Sequence, residues 1–207
     1  DENMNPIPVL AESWDSNEDM TEWTITIKEG ITFHDGTPLT AQIAADNLLS
    51  AHENYTPLAT LDHIEATDDT HLTIYLTAPT PALINLLVGY SSAQFAPATF
   101  DQADSEMPIP YGTGPYKFVN YDGEKITLER NEDYYGTLAV TPRIIYHYIP
   151  DANTRILALQ SGEIDAIADV GSIIPSQGAL LEEDENVKLF TQDVTTTNYV
   201  FFNTDKA

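Results

Sequence analysis

The chain has 207 residues, no cysteine, 33 Asp+Glu and 8 Lys+Arg, for a formal net charge of −25. So few cations cannot neutralise a nucleic-acid backbone or hold an anionic membrane surface. The lack of cysteine excludes disulfide frameworks, thiolate zinc sites, cysteine nucleophiles and iron–sulfur clusters. At 42% hydrophobic and 10% aromatic residues the chain is no acidic disordered tail, and its length fits one domain or two small ones.

Trp23-Thr24-Ile25-Thr26-Ile27 alternates large and polar residues, the pattern of a half-buried strand. Trp14 to Met20 reads as a polar turn before it, and Glu29-Gly30 and Asp35-Gly36 as turns around Ile31-Thr32-Phe33. Thr40 is placed to cap a helix over Ala41–Ala51 that ends before Thr56-Pro57. Ile64 to Thr67 and His71 to Leu76 flank Asp68-Asp69 as a hairpin. Thr80-Pro81 predicts a buried helix through Leu83, Ile84, Leu86, Leu87 and Val88, stopped by Gly89. The polar, proline-containing stretch Asp101–Pro110 reads as a connection between domains. Beyond it, Gly112-Thr113-Gly114-Pro115-Tyr116 opens a strand through Val119, and Asp122-Gly123 turns it into Lys125–Arg130. Arg143–Ile149 is a further strand. Asp151 caps a helix ending near Ser161-Gly162, and Ile164–Ile167 is short and β-like. Pro175–Leu181 predicts a short helix, and Val187–Gln192 and Asn198–Asn203 predict strands. No apolar run approaches the ~18 residues that span a bilayer, no basic start leads into an apolar stretch, and the first residue is Asp1.

Few motifs carry chemistry. Asp15-x-Asn17-x-Asp19 imitates the opening of a calcium loop, but Met20 and Thr26 stand where such a loop needs Gly and Glu, which favours a solvated turn. His34, His52, His63, His71 and His147 show no metal-ligand spacing, so no metal site is assigned. Gly112-Thr113-Gly114 lacks a third glycine and a P-loop lysine and precedes a strand; it reads as a structural turn. There is no Gly-x-Ser-x-Gly elbow. With so many acids, paired carboxylates say nothing about acid–base catalysis. Tyr90 stands beside Ser91-Ser92 after the apolar run. In a strand, Tyr199, Phe201 and Asn203 share one face and Val200 and Phe202 the other. Core packing and a ligand cleft both account for these aromatics.

The ordered segments closely resemble family 5 extracellular solute-binding proteins, the peptide-, dipeptide- and nickel-binding receptors of ABC importers. Leu10–Trp14 followed by Trp23–Ala41 resembles the family signature. Gly112–Tyr116, Leu128–Tyr135, Arg155–Asp165 and Tyr199–Thr204 follow in the family's order. The resemblance implies a mixed α/β fold belonging to a two-lobed clamshell. Residues 1–107 resemble the small α/β subdomain beside lobe one and 108–207 part of lobe one, with the second lobe absent. It also implies an extracytoplasmic monomer, periplasmic or held at the cell surface, with room for a lipid anchor ahead of Asp1. Such a receptor captures a peptide or related small solute for a permease and its ATPase subunits, without cofactor or catalysis. Tyr90, Ser91, Ser92, Tyr199 and Asn203 are the residues it places toward the solute. Family members are more than twice as long, so this chain alone is expected to bind weakly or not at all, and tight peptide binding in calorimetry would overturn that. Two other classes compete: a glycosidase-like hydrolase with two carboxylates about 5–10 Å apart, one with raised pKa, and a structural cell-surface domain.

Overall fold

Trp23, Ile25 and Ile27 project to one side of their strand, and all three are buried. In the computed structural model, which describes residues 5–54, 58–102, 105, 107–168, 173, 177–178, 181–182 and 184–190, this strand is β2 (Glu22–Ile27) of a four-stranded antiparallel sheet. The sheet order is β1 (Ala11–Ser16), β2, β4 (His71–Leu76), β3 (Leu61–Ala66). Register pairs Trp23 with Ile74 and Ile25 with Leu72, which gathers the large side chains on a single face. Helix α1 (Ala41–Asn54) contributes to the same core through Ala41 and Ala44, small residues that permit close approach. Ile31, Phe33, Leu39, Leu83 and Ala96 complete it.

Short side chains set the turns. The Asn17 carbonyl oxygen accepts from the Thr21 and Glu22 N–H groups at 2.9 and 3.2 Å, closing the β1–β2 turn in which Met20 takes φ 54°. The calcium-like spacing thus lies on a turn whose central Asn is committed to the backbone. Between β3 and β4, Asp68 Oδ1 accepts from the Thr70 and His71 N–H groups, each at 2.8 Å, and lies 2.9 Å from His71 Nδ1. The His71 ring, with the Thr70 N–H, holds this carboxyl well below the usual carboxylate range. Thr40 Oγ1 caps α1 by accepting from Ile43 N at 3.3 Å.

A second antiparallel sheet has the order β5 (Tyr116–Tyr121), β6 (Lys125–Arg130), β7 (Arg143–His147). Asp122 closes its first hairpin by accepting from Glu124 N and Lys125 N, and Gly123 takes φ 103°, where a side chain would be strained. Lys117, Glu129 and Arg143 form one cross-strand row of alternating charge.

The chain divides into two compact units, Asp1–His147, which holds both sheets, and Tyr148–Ala207. In the second unit, Asp151 Oδ1 accepts from Thr154 N at 2.8 Å and begins α4 (Ala152–Ser161). Gly162 ends that helix in the left-handed region at φ 75°.

Three expectations change. The buried helix after Thr80-Pro81 shrinks to α2 (Leu83–Leu86), capped by Leu87, with no side-chain cap at its start. The Thr80 hydroxyl instead donates to Ala78 O and lies 2.8 Å from Thr60 Oγ1. Gly89 is extended and takes no part in ending the helix. Of this run only Leu83 is buried, while Leu86 and Val88 are exposed. An apolar run interrupted only by Asn85 has no period to set its length, and unwinding after one turn sends Leu83 into the core while Leu86 and Val88 lie on the surface. The segment 164–167 is not a strand, nor is 187–190. The end of the Val187–Gln192 prediction and all of Asn198–Asn203 lie outside the described residues, as does most of Pro175–Leu181. Within Asp101–Pro110 the described residues form a turn and extended chain that follow α3 (Pro97–Phe100).

Candidate functional site

Beyond Leu87 the chain makes a 3₁₀ turn over Tyr90–Ser92, closed by Ser92 N donating to Gly89 O and Ala93 N to Tyr90 O. Its position depends on a residue far away in sequence. Asn47, buried on α1, accepts from Phe95 N at 3.1 Å and donates to Phe95 O at 3.0 Å and to Ile43 O at 2.9 Å. One amide therefore pins the backbone at Phe95 to α1 as a strand partner would. Ala96 N donates to Tyr111 O on the other side, and Phe95 meets Phe100 edge-to-face at 6.5 Å.

The anchored segment forms one wall of a cavity of about 670 Å³. The other walls are the start of the described chain, the β1–β2 side of the first sheet and α1. Trp14, Ile25, Leu48, Leu72, Ile84 and Leu87 are among its lining residues, and among the described residues no Asp, Glu, Lys, Arg or His is. Tyr90 and Ser92 lie on this wall, and the Tyr90 side chain is almost fully exposed at 97%. Ser91 belongs to the same turn but does not line the cavity. Tyr199 and Asn203 lie outside the described residues. Gln94, also on the wall, donates through Nε2 to Ser92 O at 2.9 Å. Its Oε1 is buried and has no partner among the described residues.

A second, polar hollow of about 580 Å³ is lined by Glu12, Thr26, Ile27, Lys28, Glu29, Thr70 and His71. Among the described residues no group of three or more His, Cys, Asp or Glu side chains is placed to hold a metal ion. The resolved carboxyl shifts, at Asp68, Asp122, Asp151 and Asp184, are all downward and come mainly from hydrogen bonds to the charged form. A hydrolase would need an acid shifted upward. Among the described residues Tyr135, pushed up to about 12 by burial and by Tyr134, is the one upward shift resolved.

The Gly112–Tyr116 loop joins the two sheets. His34 N donates to Gly112 O at 2.8 Å, and His34 Nε2 lies 3.0 Å from Gly114 O, so this nitrogen carries the proton. Buried Asn131 donates to the same Gly114 oxygen at 3.3 Å. Sequence reasoning treated His34 only as the residue before a turn and did not single out Asn47. A polar residue at helical spacing from Ile43 and Ala44 was the available signal for Asn47.

Residues 5–207 match the bacterial extracellular solute-binding proteins, family 5 middle. The chain belongs to this family. It is 31% identical over 213 residues to the glutathione-binding protein GsiB of Shigella boydii serotype 4, covering 98% of this chain and 41% of GsiB. NikA from Staphylococcus aureus in complex with Ni(L-His)2 superposes with a TM-score of 0.76 at 26% identity, over 91% of this chain and 40% of NikA. DppA from Helicobacter pylori in complex with the peptide STSA gives 0.65 at 27% identity, over 76% and 36%. The family 5 chain thus spans less than half the length of these relatives.

Proposed function

We propose that this family 5 chain is the lobe-one part of an extracytoplasmic receptor that captures a peptide or related small solute for an ABC importer. The observation that carries this reading is the family match over residues 5–207. On this reading residues 1–107 are the small subdomain and 108–207 part of lobe one. The division is supported by the first sheet ending at Leu76 and the second beginning at Tyr116. Tyr90, Ser91 and Ser92, with Tyr199 and Asn203, contact the solute. The permease and its ATPase subunits are the partners, the receptor acts as a monomer outside the cytoplasm, and no bond is made or broken. Mass spectrometry of whatever copurifies with the polypeptide at its natural length tests this. A peptide or small chelate released on denaturation is the expected result. Turnover of a glycoside or peptide substrate by the purified protein would overturn it.

A further inference from the structure

The cavity beneath Tyr90 has properties that the receptor reading alone does not require. In a chain with 33 Asp+Glu, its lining carries no charged or imidazole side chain among the described residues. Its walls offer aliphatic carbon and the Trp14 indole. The polar residues on its wall are neutral: Asn5, Asn85, Ser92 and Gln94 line it. A carboxylate or a metal chelate placed there would lose its hydration with no countercharge to replace it. An apolar group loses nothing, and a neighbouring N–H meets a wall of neutral amide and hydroxyl residues rather than charges. A peptide supplies both, an apolar side chain and a backbone N–H beside it.

We infer that this cavity is a subsite for an uncharged apolar side chain of the solute, selecting peptides with aliphatic or aromatic residues over small polar ones. The inference rests on the receptor reading above. Burying one leucine side chain in such a site gains enough to favour it by at least about tenfold.

The test titrates the 207-residue chain with trileucine and with triglycine at up to millimolar concentration, following tryptophan emission in a Trp23→Phe background, so that the signal comes from Trp14 on the cavity wall. The two probes carry the same charges and differ only in side chains. Trileucine is expected to bind at least about tenfold more tightly and to shift the emission to the blue. Val88→Glu, at an exposed wall position where the fold tolerates a charge, is expected to abolish the preference. Ile145→Glu, an exposed apolar site elsewhere, is expected to leave it unchanged. Equal affinity for both tripeptides, or a preference that survives Val88→Glu, overturns the subsite while leaving the receptor reading intact. No response to either tripeptide at millimolar concentration likewise overturns the subsite, while the receptor reading, which expects weak or absent binding by this chain alone, stands or falls on what copurifies with the polypeptide at its natural length.

Discussion

Removing the Asn47 amide should loosen both the first unit and the segment that carries Tyr90. Asn47 makes three hydrogen bonds, two to Phe95 and one to Ile43 O. Asn47→Ala deletes them all and leaves the Phe95 N–H and C=O without partners. An unsatisfied buried backbone group costs about 1–3 kcal/mol. Phe95 is only half-buried, so water recovers part of the loss. A net destabilisation of about 2–4 kcal/mol follows. With a urea m-value of about 2 kcal/mol/M, the midpoint falls by about 1–2 M. Chemical denaturation followed by circular dichroism reads this directly. Asn47→Asp separates hydrogen bonding from volume. It keeps the acceptor for Phe95 N, loses both donated bonds and puts a charge on a buried site. Lowering the pH protonates that carboxylate and returns an O–H donor, so Asn47→Asp should recover stability relative to wild type in acid, whereas Asn47→Ala should not. An Asn47→Ala midpoint within about 0.5 kcal/mol of wild type, or no relative recovery of Asn47→Asp, would refute the role assigned to this amide.

Two further outcomes follow from the charges. Asp68, Asp122, Asp151 and Asp184 all have folded pKa values below their unfolded ones. Their contribution is therefore complete above the unfolded carboxylate value of about 4 and fades as pH falls through the folded values. Asp151→Ala should cost about 1 kcal/mol at neutral pH through the lost cap on α4 and progressively less as pH falls through the lowered folded value of this carboxylate; a cost independent of pH from neutrality to acid would count against the cap. A net charge of −25 implies self-repulsion that salt screens. The melting temperature should rise with added sodium chloride, by about 2–4 °C for each 1 kcal/mol of repulsion relieved; a flat response in differential scanning calorimetry would contradict this.

Much of the scaffold could be read from local chemistry. Asp68 and Asp122 announce tight turns because their carboxylates reach the N–H groups two and three residues on. Thr40 and Asp151 mark helix starts, and Gly162 a helix end, for similarly local reasons. Two kinds of feature resisted. The run Leu83–Val88 holds no polar residue except Asn85, so no periodicity distinguishes a long buried helix from a single turn followed by an exposed strip. The clamps at Asn47 and His34 join residues 48 and 80 positions apart, separations at which no sequence pattern names the partner. The candidate site was legible in part for the same reason. Tyr90 and Ser92 stand out as aromatic and hydroxyl groups, but the walls facing them come from β1, β2, β4 and α1.

The Gly114 carbonyl oxygen has two lone pairs, one facing the ring of His34 and the other the amide of Asn131. An acceptor so occupied has nothing left to offer solvent, although Gly114 and His34 are only half-buried. It also makes the seam stiff in one particular sense. The first sheet cannot slide along the entry to β5 without breaking the His34 bond, while Asn131, next after β6, holds the same oxygen from the second sheet's side. A single peptide group thus works as a rivet, and thermal shear between the sheets must be taken up by bending elsewhere in the chain.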